Sequence, residues 1–136
     1  MGKIRIVRSI VLDATALTEA AQEGAQLRIQ LGRAIKRGAT LHTTAATLTE
    51  VLRGHPRDAL IHRLLQSLKV RVIDEDLGRT AGERIGRTKV RGNATLDALV
   101  AEVASQLPRP VAVLTADYDD ITALADPDVM VLDIAA

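Results

Sequence analysis

The stretch VLTADYDDI, Val113–Ile121, joins an apolar run to three aspartates within four positions. The run VAVLT (Val111–Thr115) reads as a buried strand, and the segment from Tyr118 to Ala125 as the helix that follows it. Asp is a common helix cap, which accounts for the charge with nothing further. The other account is that acids from several parts of the chain meet where this strand ends. The choice depends on the sheet to which the strand belongs.

Working outward, short β-branched runs alternate with Ala-, Leu-, Arg- and Glu-rich segments. IRIVRSIVL (Ile4–Leu12), ATLHT (Ala39–Thr43), KVRVI (Lys69–Ile73), VAVLT and VMVLDI (Val129–Ile134) read as five strands. Between them, helical patterns cover Ala14–Arg37, Ala45–Arg53, Arg57–Leu68, Glu75–Thr88, Ala94–Gln106 and Tyr118–Ala125. The first of these contains Gly24 and Gly32, which allow for two helices. Strand–helix alternation implies a parallel sheet with right-handed crossovers and helices on both faces. The expectation is therefore an α/β fold, a three-layer α/β/α sandwich with about five parallel strands, in a single domain over residues 1–136. No internal repeat or linker divides it.

Composition narrows the function classes. The chain has 136 residues, is 47% apolar and carries a net charge of +1, which excludes a disordered tail or a strongly basic arm. A local basic patch remains compatible with nucleic acid. Cysteine is absent, so disulfides and thiolate ligands are excluded, and a reducing cytoplasm fits. The opening MGKIRIVRSIVLDATAL is broken by Arg5, Arg8 and Asp13, unlike a signal peptide. No stretch of 18 apolar residues is present, so no membrane span is expected. Tyr118 is the single aromatic, which argues against base-stacking platforms.

In doubly wound sheets, ligands bind at the carboxyl ends of the strands. Asp13 directly follows SIVL at the end of the first strand. Asp117 lies just past VAVL, and Asp120 is one helical turn further on. Glu50 stands about two turns into the helix after the second strand, and Asp97 stands early in the helix that leads to the fourth. Asp97 is the informative acid. Its neighbours in GNATLDALVAEVA are almost all apolar, and an acid there is expensive to bury unless something offsets its charge. Carboxylates crowded together repel, and a divalent cation holds them ionised. Oxygen donors without Cys or well-spaced His point to Mg²⁺ or Mn²⁺ rather than Zn²⁺.

Four stretches in order, VLDATAL, TLTEVLRG, TLDALVAEVA and VLTADYDDI, resemble the motifs of the PIN domain, in particular the toxin component of VapBC toxin–antitoxin systems. The resemblance covers nearly the whole chain. It implies that Asp13, Glu50, Asp97 and Asp117 form a catalytic metal site, with Asp120 beside it and Thr15 and Thr115 in support. It also implies metal-dependent endoribonuclease activity, a homodimer and a cognate antitoxin that covers the acids. Asp13→Asn is then expected to weaken Mn²⁺ binding and abolish cleavage while leaving the fold intact.

An acidic site repels RNA, so basic residues must attract the backbone. Arg87, Lys89 and Arg91 precede Asp97, and Arg53 follows Glu50; these are the candidate phosphate contacts, which position RNA without reading its sequence. The apolar residues of Leu27–Ile35 and Leu60–Leu68 either pack the domain's own core or serve as dimer or antitoxin surfaces. The run DED (Asp74–Asp76) reads as a helix cap, and Glu83 and Glu102 are expected to face solvent. A haloacid-dehalogenase-like phosphotransferase is excluded because position 15 is Thr rather than Asp. A receiver domain is excluded because its acidic pair and late Lys are missing. The alternative to a nuclease is a PIN-like RNA- or protein-binding module without catalysis, whose binding survives Asp97→Asn.

Overall fold

The computed structural model describes residues 6–90 and 92–135. The elements follow in the order β1 (Ser9–Leu12), α1 (Ala14–Ala21), α2 (Gln26–Lys36), β2 (Thr40–Thr44), α3 (Ala45–Val51), α4 (Asp58–Leu65), β3 (Leu68–Arg71), α5 (Glu75–Arg87), α6 (Thr95–Ser105), β4 (Val111–Thr115), α7 (Tyr118–Leu124) and β5 (Met130–Asp133). The five strands form one sheet in the order β3-β2-β1-β4-β5, and every pair is parallel. The expected α/β/α sandwich is what the chain adopts.

Side-chain alternation along the strands sorts the core into two layers. Ile10 and Leu12 of β1, and Ala112 and Leu114 of β4, pack with Leu17, Leu27, Leu31, Ile61 and Leu64 from α1, α2 and α4. Val11, Val111 and Val113 face the other way, onto Leu77, Ala98, Val103, Ile121 and Leu124 from α5, α6 and α7. The central strands β1 and β4 are buried on both faces, as their unbroken apolar runs require.

The boundaries differ from the sequence reading in identifiable ways. The first strand begins at Ser9, where backbone pairing with Thr40 and Val111 starts, and Ile6 is 80% exposed. Ile4 and Arg5 lie outside the described residues. The long first helical segment breaks after Ala21, and Gly24 turns the chain at φ +70 while Gly32 stays within α2. The apolar segments of α2 and α4 mostly serve the core through Leu27, Leu31, Ala34, Ile61 and Leu64, which leaves Ile29 and Ile35 as exposed apolar residues on α2.

Glu102 corrects an expectation. It does not face solvent: it is 8% exposed, because α6 packs against α5, α7 and the sheet and offers little wet face. Its charge is met by Arg84 of α5, whose Nε donates to Glu102 Oε1 at 2.6 Å. Arg84 Nη1 also donates to the Leu124 carbonyl and to Asp126, both at 2.9 Å. Glu83 is exposed and Asp74 caps α5 by accepting from the Leu77 N–H, both as expected. Among the described residues, no helix is long and apolar enough to cross a membrane.

Candidate functional site

The strand order creates the site. From β1 the chain moves to β2 and β3 on one side, then returns to place β4 on the other. Crossovers leaving in opposite directions open a crevice at the carboxyl ends of β1 and β4. Asp13 is the first residue past β1, and Asp117 the second past β4. A cleft of about 310 Å³ opens there, lined among others by Asp13, Thr15, Glu50, Asp97 and Asp117. Four carboxylates from four separate segments therefore share one cavity.

Asp13 is the most firmly held. It is 6% exposed and caps α1, its Oδ1 accepting from the Ala16 N–H at 2.9 Å. Its Oδ2 accepts from the Thr115 hydroxyl at 2.5 Å and from the Ala116 N–H at 3.3 Å. The same Thr115 oxygen accepts from the Asp117 N–H at 2.8 Å. Thr115 thus links the two acidic loops. Burial raises the Asp13 pKa above its ordinary value; its three hydrogen bonds oppose that, and nearby Asp117 adds to it. These bonds also revise the expectation that Asp13→Asn leaves the fold untouched. An amide nitrogen at the Oδ2 position cannot accept from Ala116, so the substitution disturbs the β1–β4 junction as well as the site.

Asp97 sits in the first turn of α6, where the helix dipole favours a carboxylate. Even so, its pKa is raised to about 7, by burial first and then by the charges of Asp117, Asp120, Asp13 and Glu50. All five acids are therefore close enough to repel. Asp117 is exposed at the N-cap position of α7 but makes no side-chain capping bond. Its carboxylate is not spent on the helix, which disposes of the simple capping account. Glu50 is exposed in the last turn of α3, and Thr15 is exposed in the first turn of α1. Asp120 acts on Asp97 through its charge without lining the cleft.

Among the described residues, no three of these side chains are drawn together into a ready-made chelate. The donor chemistry nonetheless fits a hard divalent cation. Every charged donor is a carboxylate, and the burial and like-charge repulsion that raise the Asp97 pKa are both costs of its charged form that a cation would offset.

The basic candidates are less central. Arg53 does not line the acid cleft; it lines a larger trough beside it. Arg87, at the end of α5, and Lys89 are exposed and do not line the cleft either, and Arg91 lies outside the described residues. From the segment that joins α5 to α6, Asn93 is what reaches the cleft wall. Asn93 escaped the sequence reading, as did the threonines of β2 and α3. Thr43 Oγ1 donates to the Leu12 carbonyl at 2.9 Å, and Thr44 caps α3 by accepting from the Thr47 N–H at 3.0 Å, its hydroxyl also meeting that of Thr47 at 2.8 Å. The string TLHTTAATLT carried that signal: hydroxyls at a strand-to-helix turn are cap residues.

Solved structures match nearly the whole chain, three of them as follows. One is a chain of VapBC2 from Rickettsia felis bound to a DNA fragment from its promoter, with a TM-score of 0.69 and 12% identity over 92% of this chain and 98% of that one. Another is a chain of DNA-bound VapBC from Salmonella typhimurium, with a TM-score of 0.67 and 17% identity over 93% and 98%. A third is a chain of FitAcB from Neisseria gonorrhoeae, with a TM-score of 0.64 and 21% identity over 91% and 96%. The fold is the PIN fold. No protein-family model and no curated protein sequence matches the chain. At these identities the likeness is one of fold.

Proposed function

We propose that this chain is a Mg²⁺- or Mn²⁺-dependent endoribonuclease, the toxin of a type II toxin–antitoxin pair. The observation that carries the reading is the meeting of Asp13, Glu50, Asp97 and Asp117 around one cleft at the switch point of the sheet, with the Asp97 pKa raised to about 7 by burial first and then by the neighbouring acids. An acidic cleft attracts cations and repels phosphate, so it acts on a phosphodiester only with a divalent ion between them. Asp13, Glu50, Asp97 and Asp117 would hold that ion, with Asp120 adding charge nearby. When bound, it supplies neutralisation of the phosphate charge and a Lewis acid.

The chain's own contributions follow from the geometry. Thr115 and the Ala116 N–H fix Asp13, so one acid stands without reorganisation. Asp117 has its backbone fixed by Thr115 and its carboxylate free. Glu50, exposed at the cleft edge, is placed to orient the attacking water and to accept its proton. In the reaction the water oxygen bonds to phosphorus, the bond to the leaving ribose oxygen breaks, and that oxygen gains a proton. The matched complexes are named as VapBC and FitAcB, which supports a cognate antitoxin for this chain too. A homodimer acting on RNA in the cytoplasm completes the reading.

The test is a map of new RNA 5′ ends after brief expression in bacteria, comparing wild type with Asp97→Asn. Discrete ends made only by the wild type are expected. Identical maps from two folded proteins would refute the nuclease and leave the RNA- or protein-binding module.

A further inference from the structure

Beside the acid cleft lies a trough of about 640 Å³ that the reading above does not use. The two concavities share Ala14, Thr15 and Glu50, so they are neighbouring stretches of one channel. Beyond Glu50 the chemistry changes: Thr18 of α1 and Gln22 just past its end supply a hydroxyl and an amide, Val51 and Ile134 supply apolar surface, and Arg53 supplies a cation. The trough is an open, shallow concavity rather than an enclosed cavity.

Arg53 is built into place. Its Nη1 donates to the carbonyls of Thr49 at 2.9 Å and Leu52 at 2.8 Å, at the end of its own helix. Its backbone is fixed as well, because the carboxylate of Asp58 accepts from the N–H groups of Arg53 at 2.8 Å and Gly54 at 2.7 Å. Asp58 is buried at the start of α4, and its pKa is lowered chiefly by that Arg53 N–H. The guanidinium keeps its Nε and Nη2 protons for another acceptor, and among the described residues no acid pairs with it. A held fork with free donors beside an acidic cleft suits a phosphate oxygen.

We propose that this trough is the subsite for the nucleotide next to the scissile phosphate of single-stranded RNA. Arg53 grips its phosphate, the base lies against Val51 and Ile134, and Thr18 and Gln22 meet its polar edge. Asp58 is a positioning residue that acts through Arg53. The inference rests on the ribonuclease reading and adds to it where the strand runs. Carboxylates at Glu19 and Glu50 line the same walls, so the phosphate is accommodated on the Arg53 side alone.

The experiment measures anisotropy of a labelled ten-nucleotide single-stranded RNA, at one fixed Mg²⁺ concentration, in the Asp97→Asn background. Arg53→Gln is expected to weaken binding about tenfold and to reduce the slope of log affinity against log salt by about 0.7, the value for one phosphate contact on a single strand. Thr18→Phe, which fills the trough from an exposed helix position, is expected to weaken binding with the salt slope unchanged. Circular dichroism checks that both variants fold. If wild type cleaves RNA, and both substitutions leave binding unchanged in the Asp97→Asn background and cleavage unchanged in the otherwise wild-type chain, the subsite is wrong and the nuclease stands. If wild type neither binds nor cleaves RNA, both readings fall. If the variants leave RNA binding intact and instead release a co-expressed antitoxin, the trough is a protein-docking site and the inference is overturned.

Discussion

Replacing Arg84 with methionine tests how the α5–α6 layer is held. The Arg84 and Glu102 side chains are 9% and 11% exposed and meet at 2.6 Å. Burial disfavours the Glu102 charge, but the bonds from Arg84, Gln106 and Ser105 more than offset it and hold its pKa below the ordinary value. Without Arg84 the carboxylate keeps only Ser105 Oγ at 3.1 Å and Gln106 Nε2 at 3.3 Å, and the Leu124 carbonyl loses its donor. Breaking one side of a buried pair costs about 3–5 kcal/mol, out of a total stability on the order of 5–15 kcal/mol. For a chain of this size that lowers Tm by roughly 10–20 °C. The double variant Arg84→Met/Glu102→Leu removes the stranded charge and is expected within about 1–2 kcal/mol of wild type. Urea unfolding followed by far-ultraviolet circular dichroism gives all four corners of the cycle. A single variant within about 1 kcal/mol of wild type would refute the reasoning, as would a double variant no more stable than the single. Protonating Glu102 removes the stranded charge, so the loss in the single variant is also expected to shrink as pH falls.

Two further outcomes follow from the same structure. His42 of β2 is buried, and its pKa is lowered to about 4, by burial first and then by Arg71 and Lys69. The unfolded chain therefore binds the proton more readily, so stability falls as pH drops from about 6.5 towards 4, by about 2 kcal/mol between pH 7 and pH 5; denaturant titrations of wild type and His42→Leu are expected to differ in that slope, and parallel curves would refute the assignment. Thr115→Val keeps the shape of a fully buried side chain but strips the donor from Asp13 and the acceptor from the Asp117 N–H. It is expected to lower stability by about 1–3 kcal/mol and to weaken Mn²⁺ binding measured by calorimetry, and unchanged values of both would remove Thr115 from the site.

Much of this was readable from the residues. Runs such as SIVL and VAVLT are apolar throughout because β1 and β4 are covered on both faces, and an acid directly after each run marks the carboxyl edge. Asp97 was identifiable because its helix offers so little water. What escaped has a common cause in packing between distant segments. Glu102 looks like a surface residue until α5 brings Arg84 to it from 18 positions away. Asp58 looks like an ordinary first-turn acid, yet its carboxylate closes the loop that carries Arg53. Strand ends moved by one to several residues because register is set by the neighbouring strand rather than by local pattern. Arg53 was rightly placed near Glu50, but the helix end turns it into the next concavity rather than into the acid cleft.

The strand order also fixes when the cleft comes into being. During synthesis β1, β2 and β3 emerge first, and β1 is then an edge strand whose other neighbour has not yet been made. Asp13 can cap α1 at that stage, but Thr115, which steadies its other oxygen, lies 102 positions later. At translation rates of about 5–20 residues per second, that gap lasts on the order of 5–20 s. Asp97 and Asp117 arrive in the same late stretch. A nascent chain thus holds Asp13 and Glu50 first, and the acidic cavity is completed only when β4 docks on the open edge of β1 and Asp97 and Asp117 join them.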